Sequence, residues 1–283
     1  MSSEIPGGPF AKSSVSVVIR NRNEAEYLGH VLFALANQSQ KPAEIILVDN
    51  ESSDSSIAVA NEYGAQVVPL SRSEFTYGRA LNIGIAASKG DIILLLSAHS
   101  LPIGPGFIGD GVRSLLECDA AAVCCRNIRF IDSNYKWSER HIMEWPITWA
   151  AIWDHTIESR GAFLRRSVWE GIRFREDLEA SEDRQWSFDV LKAGNKIASS
   201  DAFYWYMRRQ SMLDGIKVYQ REMTAMYRIG GDIGHYSSRE CAKNAFIAWK
   251  SAVRNTVDGL LRYAVFKTIP FWASRPPRKG SLR

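Results

Sequence analysis

Five consecutive apolar residues, Ile92 to Leu96, constrain this chain more than any other stretch. A strand so uniformly apolar needs cover on both faces, which places it inside a parallel sheet with helices on either side. The residues that follow, Ser97, Ala98, His99 and Ser100, are mostly polar. In open α/β sheets ligands bind beyond the carboxyl ends of the strands, so Ser97, His99 and Ser100 stand where chemistry is usually done. A strand that merely ends in a polar loop is the alternative.

The first hundred residues alternate strand and helix signals with short breaks, a pattern that calls for a parallel sheet with right-handed crossovers. Strands are expected at Val15 to Ile19, Glu44 to Val48, Ala65 to Leu70 and Asp91 to Leu96. The third carries Pro69 and reads as an edge. Helices are expected at Glu24 to Ala36, Asp54 to Tyr63 (ended by Gly64) and Ala80 to Ser88 (closed by Gly90). Further on, Ala120 to Cys125 reads as a strand, and Ser181 to Ala193 as a helix with Ser181 as its cap and acidic residues in its first turn. Between them lies a segment with Trp137, Trp145, Trp149 and Trp153, in which Pro146 prevents a simple helix. Such an aromatic loop serves either as a core lid or as a platform for stacking a sugar or base.

A chain of 283 residues with 46% hydrophobic and 23% charged residues buries a sizeable core. Its four cysteines form no C-x-x-C pair, which argues for a reducing compartment and against a cysteine-rich zinc site. No signal peptide and no spanning helix are expected. The net charge of +4 is uneven: residues 241–283 hold nine Lys or Arg against Asp258 alone, a net +8, leaving −4 for the rest. A mildly acidic body without helix-turn-helix, zinc-finger or RNP patterns is not expected to bind nucleic acid.

Two loops join the end of the fourth strand as candidate site elements. Arg20-Asn21-Arg22-Asn23-Glu24 follows the first strand with side chains able to hydrogen-bond a base or phosphate. Asp49-Asn50-Glu51-Ser52-Ser53-Asp54 follows the second; Asp49 at a strand end suits ribose hydroxyls, whereas Asp54 reads as a helix cap. Neither loop carries G-x-G-x-x-G or a P-loop, so dinucleotide and P-loop phosphate cradles are not supported.

Taken in order, Val15 to Ala25, Glu44 to Ser56, Gly78 to Leu96 and Glu179 to Trp186 resemble the motifs of the inverting family 2 glycosyltransferases. The resemblance covers roughly residues 13–230 and implies a GT-A fold, a Rossmann-like mixed α/β sheet flanked by helices. It divides that domain into a nucleotide-binding half (13–100) and an acceptor half (101–230), with residues 231–283 as a basic tail. It further implies a nucleotide-sugar donor, bound by Arg20, Asn21, Asn23, Glu24, Asp49, Asn50, Ser52, Arg79, Asn82, Ser97, Ala98 and His99. Within the family the strand-end Asp, here Asp49, binds the nucleoside, and Arg79 reaches the nucleotide.

Sugar transfer with inversion needs a carboxylate to take the proton of the attacking hydroxyl, and a cation to stabilise the departing diphosphate. Asp183 is the expected base. Glu182, an adjacent carboxylate expected to point elsewhere, orients the acceptor or the surroundings of Asp183; the alternative is that both only satisfy the helix dipole. The cation is open, because the family's Asp-x-Asp reads Ser97-Ala98-His99 here. Imidazole suits Mn²⁺ better than Mg²⁺, so the readings are a metal held by His99 with the diphosphate, a metal-free site where His99, Arg208 or Arg209 meets the phosphates, or a degenerate enzyme.

Phe246, Trp249, Val253, Val257, Leu260, Leu261 and Ala264 recur at helical spacing, while Lys250, Arg254 and Arg262 fall on another face. The tail is therefore expected to be a basic amphipathic helix, either packed on the domain or lying on an anionic membrane surface. The expectation as a whole is a cytoplasmic transferase, peripheral on the inner face of the membrane, that passes a sugar to a glycan or lipid-linked acceptor during surface-polysaccharide synthesis. A non-catalytic sugar-nucleotide or glycan-binding protein of the same fold is the competing reading, and a nucleotidyltransferase a third.

Overall fold

The computed structural model describes residues 13–128, 140–147 and 156–208, all of which belong to the compact unit Met1–Ile229. The expectations placed on Trp137, Trp149, Trp153, Arg209 and the basic tail lie outside the described residues.

The first half alternates β1 (Val15–Asn21), α1 (Ala25–Ala36), β2 (Glu44–Asp49), α2 (Ser56–Glu62), β3 (Gln66–Pro69), α3 (Tyr77–Ala87) and β4 (Ile92–Ser97). These four strands run parallel in the order β3-β2-β1-β4, with β3 and its Pro69 at the edge. The second half adds β5 (Ser100–Pro102), α4 (Phe107–Glu117), β6 (Ala122–Asn127), β7 (Ile142–Met143), β8 (Gly161–Arg165), α5 (Arg166–Gly171), α6 (Glu182–Lys192) and β9 (Ile197–Tyr206). Strand β8 joins β4 antiparallel, and the sheet continues through β6 and β9 to β5, with β7 also on β9. The sheet is thus mixed, and every residue of β4 is buried at its centre.

Alternation along the strands sorts two cores. Val17, Ile19, Leu94, Leu96 and Phe163 face α1 and α4, while Val18, Ile46, Val48, Ile93 and Leu95 face α3, α5 and α6. Glycine lets the helices close on the sheet. A Cβ at Gly84 in α3 would lie 2.4 Å from Val18 Cγ1, and one at Gly111 in α4 would lie 2.0 Å from Phe163 Cε2.

Several boundaries differ from expectation for local reasons. Strand β1 continues through Arg20 and Asn21 because it is paired on both sides, Arg20 with Ser97 and Asn21 with Asp49. Helix α3 begins three residues early, where the Thr76 hydroxyl accepts the Arg79 N–H at 3.1 Å. It ends at Ala87, and Gly90 closes no helix: its N–H donates to Ser16 Oγ at 2.7 Å. Ser181 precedes α6 but does not cap it, because its backbone is left-handed at φ 62° and its buried hydroxyl has no partner.

Candidate active site

The loops after β1 and β2 are laced together. Asp49 Oδ1 accepts from Asn21 Nδ2 at 2.8 Å and from Ser52 Oγ at 2.6 Å, and its Oδ2 accepts the Ser52 N–H at 2.9 Å. Ser52 Oγ in turn accepts the Asn23 N–H at 2.9 Å, and Asn23 Oδ1 accepts the Ser53 N–H at 2.7 Å. Asn50 donates its N–H to Asn21 O at 3.0 Å. The side-chain oxygens of Asn21 and Asn50 are buried without partners, two acceptors beside a rigid carboxylate. Asp54 caps more than its own helix: its Oδ1 accepts the Ser56 N–H and its Oδ2 the Ala25 N–H, both at 3.0 Å, so one carboxylate holds the starts of α2 and α1.

Beyond β4 the chain turns at Ala98 and His99 before entering β5. Ala98 donates its N–H to Arg20 O at 3.3 Å, and His99 O accepts the Met207 N–H at 2.9 Å. The His99 ring stands edge-on to Tyr206, with centroids 4.6 Å apart. Its Nδ1 lies 3.4 Å from Glu24 Oε1, but not in hydrogen-bond geometry, so this buried nitrogen has no hydrogen-bond partner. Glu24 also pairs with Arg208 at 3.2 Å. Across Tyr206 sits the guanidinium of Arg160, 5.0 Å from the ring centroid, bonded to Glu158 at 2.7 Å. Glu158 also accepts the Tyr204 hydroxyl at 3.0 Å.

The two carboxylates of α6 are expected to point apart, yet they meet at Ser159, in the loop ahead of β8. Ser159 Oγ lies 3.1 Å from Glu182 Oε1 and 3.1 Å from Asp183 Oδ2, and the Ser159 N–H donates to Asp183 Oδ2 at 2.9 Å. Arg20 completes the cluster: Nη2 donates to Ser159 Oγ at 2.9 Å, Nη1 lies 3.4 Å from Glu182 Oε1, and the guanidinium lies over the Tyr77 ring. Burial first, and then the neighbouring Asp183, push the Glu182 carboxyl up to about 7 against the pull of Arg20.

Arg79 and Asn82, expected to bind the donor, are engaged by protein groups. Both terminal nitrogens of Arg79 are engaged at 3.2 Å, by Glu74 and Glu176. Asn82 uses all four of its hydrogen bonds to pin the chain after α5: Nδ2 donates to Phe174 O and Glu176, and Oδ1 accepts from Trp169 Nε1 and the Phe174 N–H. Asn82 has no hydrogen bond left for a ligand in this conformation.

Sequence reasoning missed Ser159, Tyr77 and Glu158. The available signal was positional. Strand β8 begins at Gly161 opposite Leu96, which sets the preceding loop beside the end of β4.

The model of the glycosyl transferase family 2 domain matches residues 16–174, more than half of the chain. The chain belongs to glycosyl transferase family 2. Among curated relatives, this family 2 chain is 24% identical over 177 residues to the O-antigen chain rhamnosyltransferase WbaN of Salmonella anatum, covering 58% of this chain and 56% of that protein. It is 23% identical over 197 residues to the O-antigen chain rhamnosyltransferase RfbN of Salmonella typhimurium, covering 65% and 63%. The match thus spans little more than half of the length of these relatives. Among solved structures, S. aureus TarS 1-349 in complex with UDP-GlcNAc superposes with a TM-score of 0.59 at 16% identity over 80% of this chain and 69% of that one. The mannosyltransferase PcManGT from Pyrobaculum calidifontis, in complex with GDP-Man and Mn²⁺, gives 0.56 at 14% identity over 95% and 91%. These likenesses establish the GT-A fold for the family 2 chain.

Proposed function

We propose that this protein transfers a sugar, with inversion, from a nucleotide-sugar donor to a glycan or lipid-linked acceptor in surface-polysaccharide synthesis. The observation that carries the reading is the bond from Arg20 to Ser159, which ties the end of β1 to the carboxylates of α6. The donor-side loops and a carboxylate base thereby come together at the carboxyl ends of β1 and β4.

In this reading the Asp49–Asn21–Ser52 lattice holds the nucleoside, and the free oxygens of Asn21 and Asn50 meet its donors. The donor diphosphate lies at Ser97–His99, past the end of β4. Asp183 takes the proton from the acceptor hydroxyl as its oxygen bonds to the anomeric carbon. The bond from that carbon to the diphosphate oxygen breaks on the opposite face, and the nucleoside diphosphate departs. General-base assistance of this kind contributes about 10²–10⁴-fold.

The side chains beside the end of β4 offer a divalent ion two donors. Nδ1 of His99 is an orphaned buried nitrogen facing Glu24 Oε1, a nitrogen and an oxygen that suit Mn²⁺. Among the described residues no three His, Cys, Asp or Glu side chains gather into a cage. His99 and Glu24 would hold such an ion, and it would supply positive charge to the departing diphosphate.

The donor reading is tested by thermal shift against UDP, GDP and dTDP, each with EDTA, Mg²⁺ or Mn²⁺. A bound nucleotide raises the melting temperature as its concentration exceeds its Kd. Stabilisation by one nucleotide supports the reading; stabilisation by none counts against it. The likeness to two O-antigen chain rhamnosyltransferases favours a surface-glycan acceptor. Among the described residues no helix is long and apolar enough to cross a membrane. Membrane attachment is proposed for residues 241–283 on their charge, nine Lys or Arg against Asp258 alone. Sedimentation with anionic but not neutral vesicles is its test.

A further inference from the structure

Ser159 Oγ has three polar neighbours and only one hydrogen to offer. Arg20 Nη2, at 2.9 Å, can only donate, so it occupies one of the two lone pairs of the hydroxyl. Glu182 Oε1 and Asp183 Oδ2 both lie at 3.1 Å. The hydroxyl hydrogen satisfies one of them. If both were ionised, the other would face Ser159 across an oxygen–oxygen contact with no proton between, in a place where Ser159 is almost fully buried. The cluster therefore needs one more proton than two carboxylates and a serine carry.

The surroundings decide which carboxyl holds it. Asp183 accepts backbone N–H bonds on both oxygens, from Ser159 to Oδ2 and from Arg184 to Oδ1, each at 2.9 Å, so both oxygens already serve as acceptors. The Glu182 side chain is only 5% exposed, and its Oε1 accepts only a long bond, 3.4 Å, from Arg20 Nη1. The groups facing Glu182 are Arg20 from β1, Asp183 on its own helix and Ser159. Tyr77 of α3 lies under the Arg20 guanidinium, and the nearby Glu158 and Arg160 are paired with each other.

We infer that Glu182 is held as a carboxylic acid that donates to Ser159, and that Ser159 passes its own hydrogen to Asp183, so both act as positioning residues for an ionised base. The inference rests on the reading of Asp183 as base only for its kinetic consequence. Burial pushes Glu182 up to about 7, so this proton is lost just above neutrality. Loss leaves two anions, Glu182 buried and Asp183 half-buried, competing for one hydroxyl hydrogen, and the hold on Asp183 fails.

Infrared difference spectroscopy of the full chain tests the proton directly. A protonated-carboxyl carbonyl stretch should be present in the wild type at about pH 6, where ordinary carboxylates are ionised, and be lost by about pH 9. It should be absent from Glu182→Gln at both. No such band in the wild type, or a band that survives E182Q, overturns the inference. The kinetic arm uses the pH profile of kcat. The wild type should show an alkaline limb near the Glu182 titration, and E182Q, whose amide cannot ionise, should have that limb displaced upward. Ser159→Ala should lose about tenfold or more in kcat and Ser159→Thr restore it, because the threonine hydroxyl keeps the bridge. An alkaline limb unchanged in E182Q, or S159T as impaired as S159A, also overturns it. If Asp183→Asn still turns over, the base reading fails, while the infrared band reports on the proton regardless.

Discussion

Arg20, at the end of β1, donates to the hydroxyl of Ser159, in the loop ahead of β8, at 2.9 Å. This one contact joins residues 139 apart in sequence and brings helix α6, with the proposed base Asp183, to the carboxyl end of β1. It also gives the buried Glu182 its nearest cation.

Arg20→Met should therefore damage more than donor binding. It removes a charge-assisted hydrogen bond and leaves Ser159 Oγ with an unfilled lone pair, a loss of about 1.5–3 kcal/mol in denaturant unfolding. Without Arg20 opposing it, the Glu182 carboxyl should titrate higher still, moving the alkaline limb of kcat upward. A variant with wild-type stability and an unmoved limb would show that the contact does not couple the two halves.

The pH dependence of stability follows from Glu182. Its pKa is raised in the fold from 4.5 to about 7, so between these values the folded chain keeps a proton that the unfolded chain releases. Stability from this group is greatest below the lower value and falls as pH rises, with the full cost, on the order of 3 kcal/mol, present above about 7. Glu182→Gln should therefore gain melting temperature relative to the wild type at about pH 8, and the gain should shrink towards about pH 5. The measurement is a pair of melting curves across that range.

His99→Ala should abolish any stimulation of turnover by Mn²⁺ while leaving the melting temperature without metal within a few degrees. His99 donates no side-chain hydrogen bond at Nδ1, so its removal costs packing against Tyr206 and little else. Undiminished Mn²⁺ stimulation in H99A, measured by donor consumption with and without EDTA, would remove His99 from the diphosphate site.

Gly84→Ala tests the closeness of α3 to the sheet. Its Cβ would meet Val18 Cγ1 at 2.4 Å and Val48 Cγ2 at 2.8 Å, both fully packed, so the helix must move. A loss of about 1–3 kcal/mol in urea unfolding is expected.

How much of this the sequence displays depends on the range of the interaction. The apolar run Ile92 to Leu96 and the strand-helix alternation set the parallel half and its edge at Pro69, because burial and chain reversal are local signals. Asp49 is legible as a strand-end carboxylate, and its lattice with Asn21 and Ser52 needs only two neighbouring loops. Asn82 misleads because a motif position says nothing of partners: its amide is spent on Phe174, Trp169 and Glu176, which come close only when α5 folds back. Ser159 is invisible for the same reason. It sits in no pattern, and its role arises from the antiparallel addition of β8 to β4, a pairing across some 65 residues that periodicity cannot announce. Ser181 shows the reverse case, a cap by composition that adopts φ 62° and leaves its hydroxyl unpaired.

The most direct test of the central claim separates binding from chemistry at Asp183. Asp183→Asn keeps the volume and the Ser159 N–H partner but cannot take a proton. With the donor nucleotide identified by thermal shift, its Kd for D183N should stay within about threefold of the wild type while kcat falls by at least about 100-fold. D183N that turns over at the wild-type rate, or a wild type that binds the donor and transfers no sugar to any glycan or lipid-linked acceptor, would contradict the account.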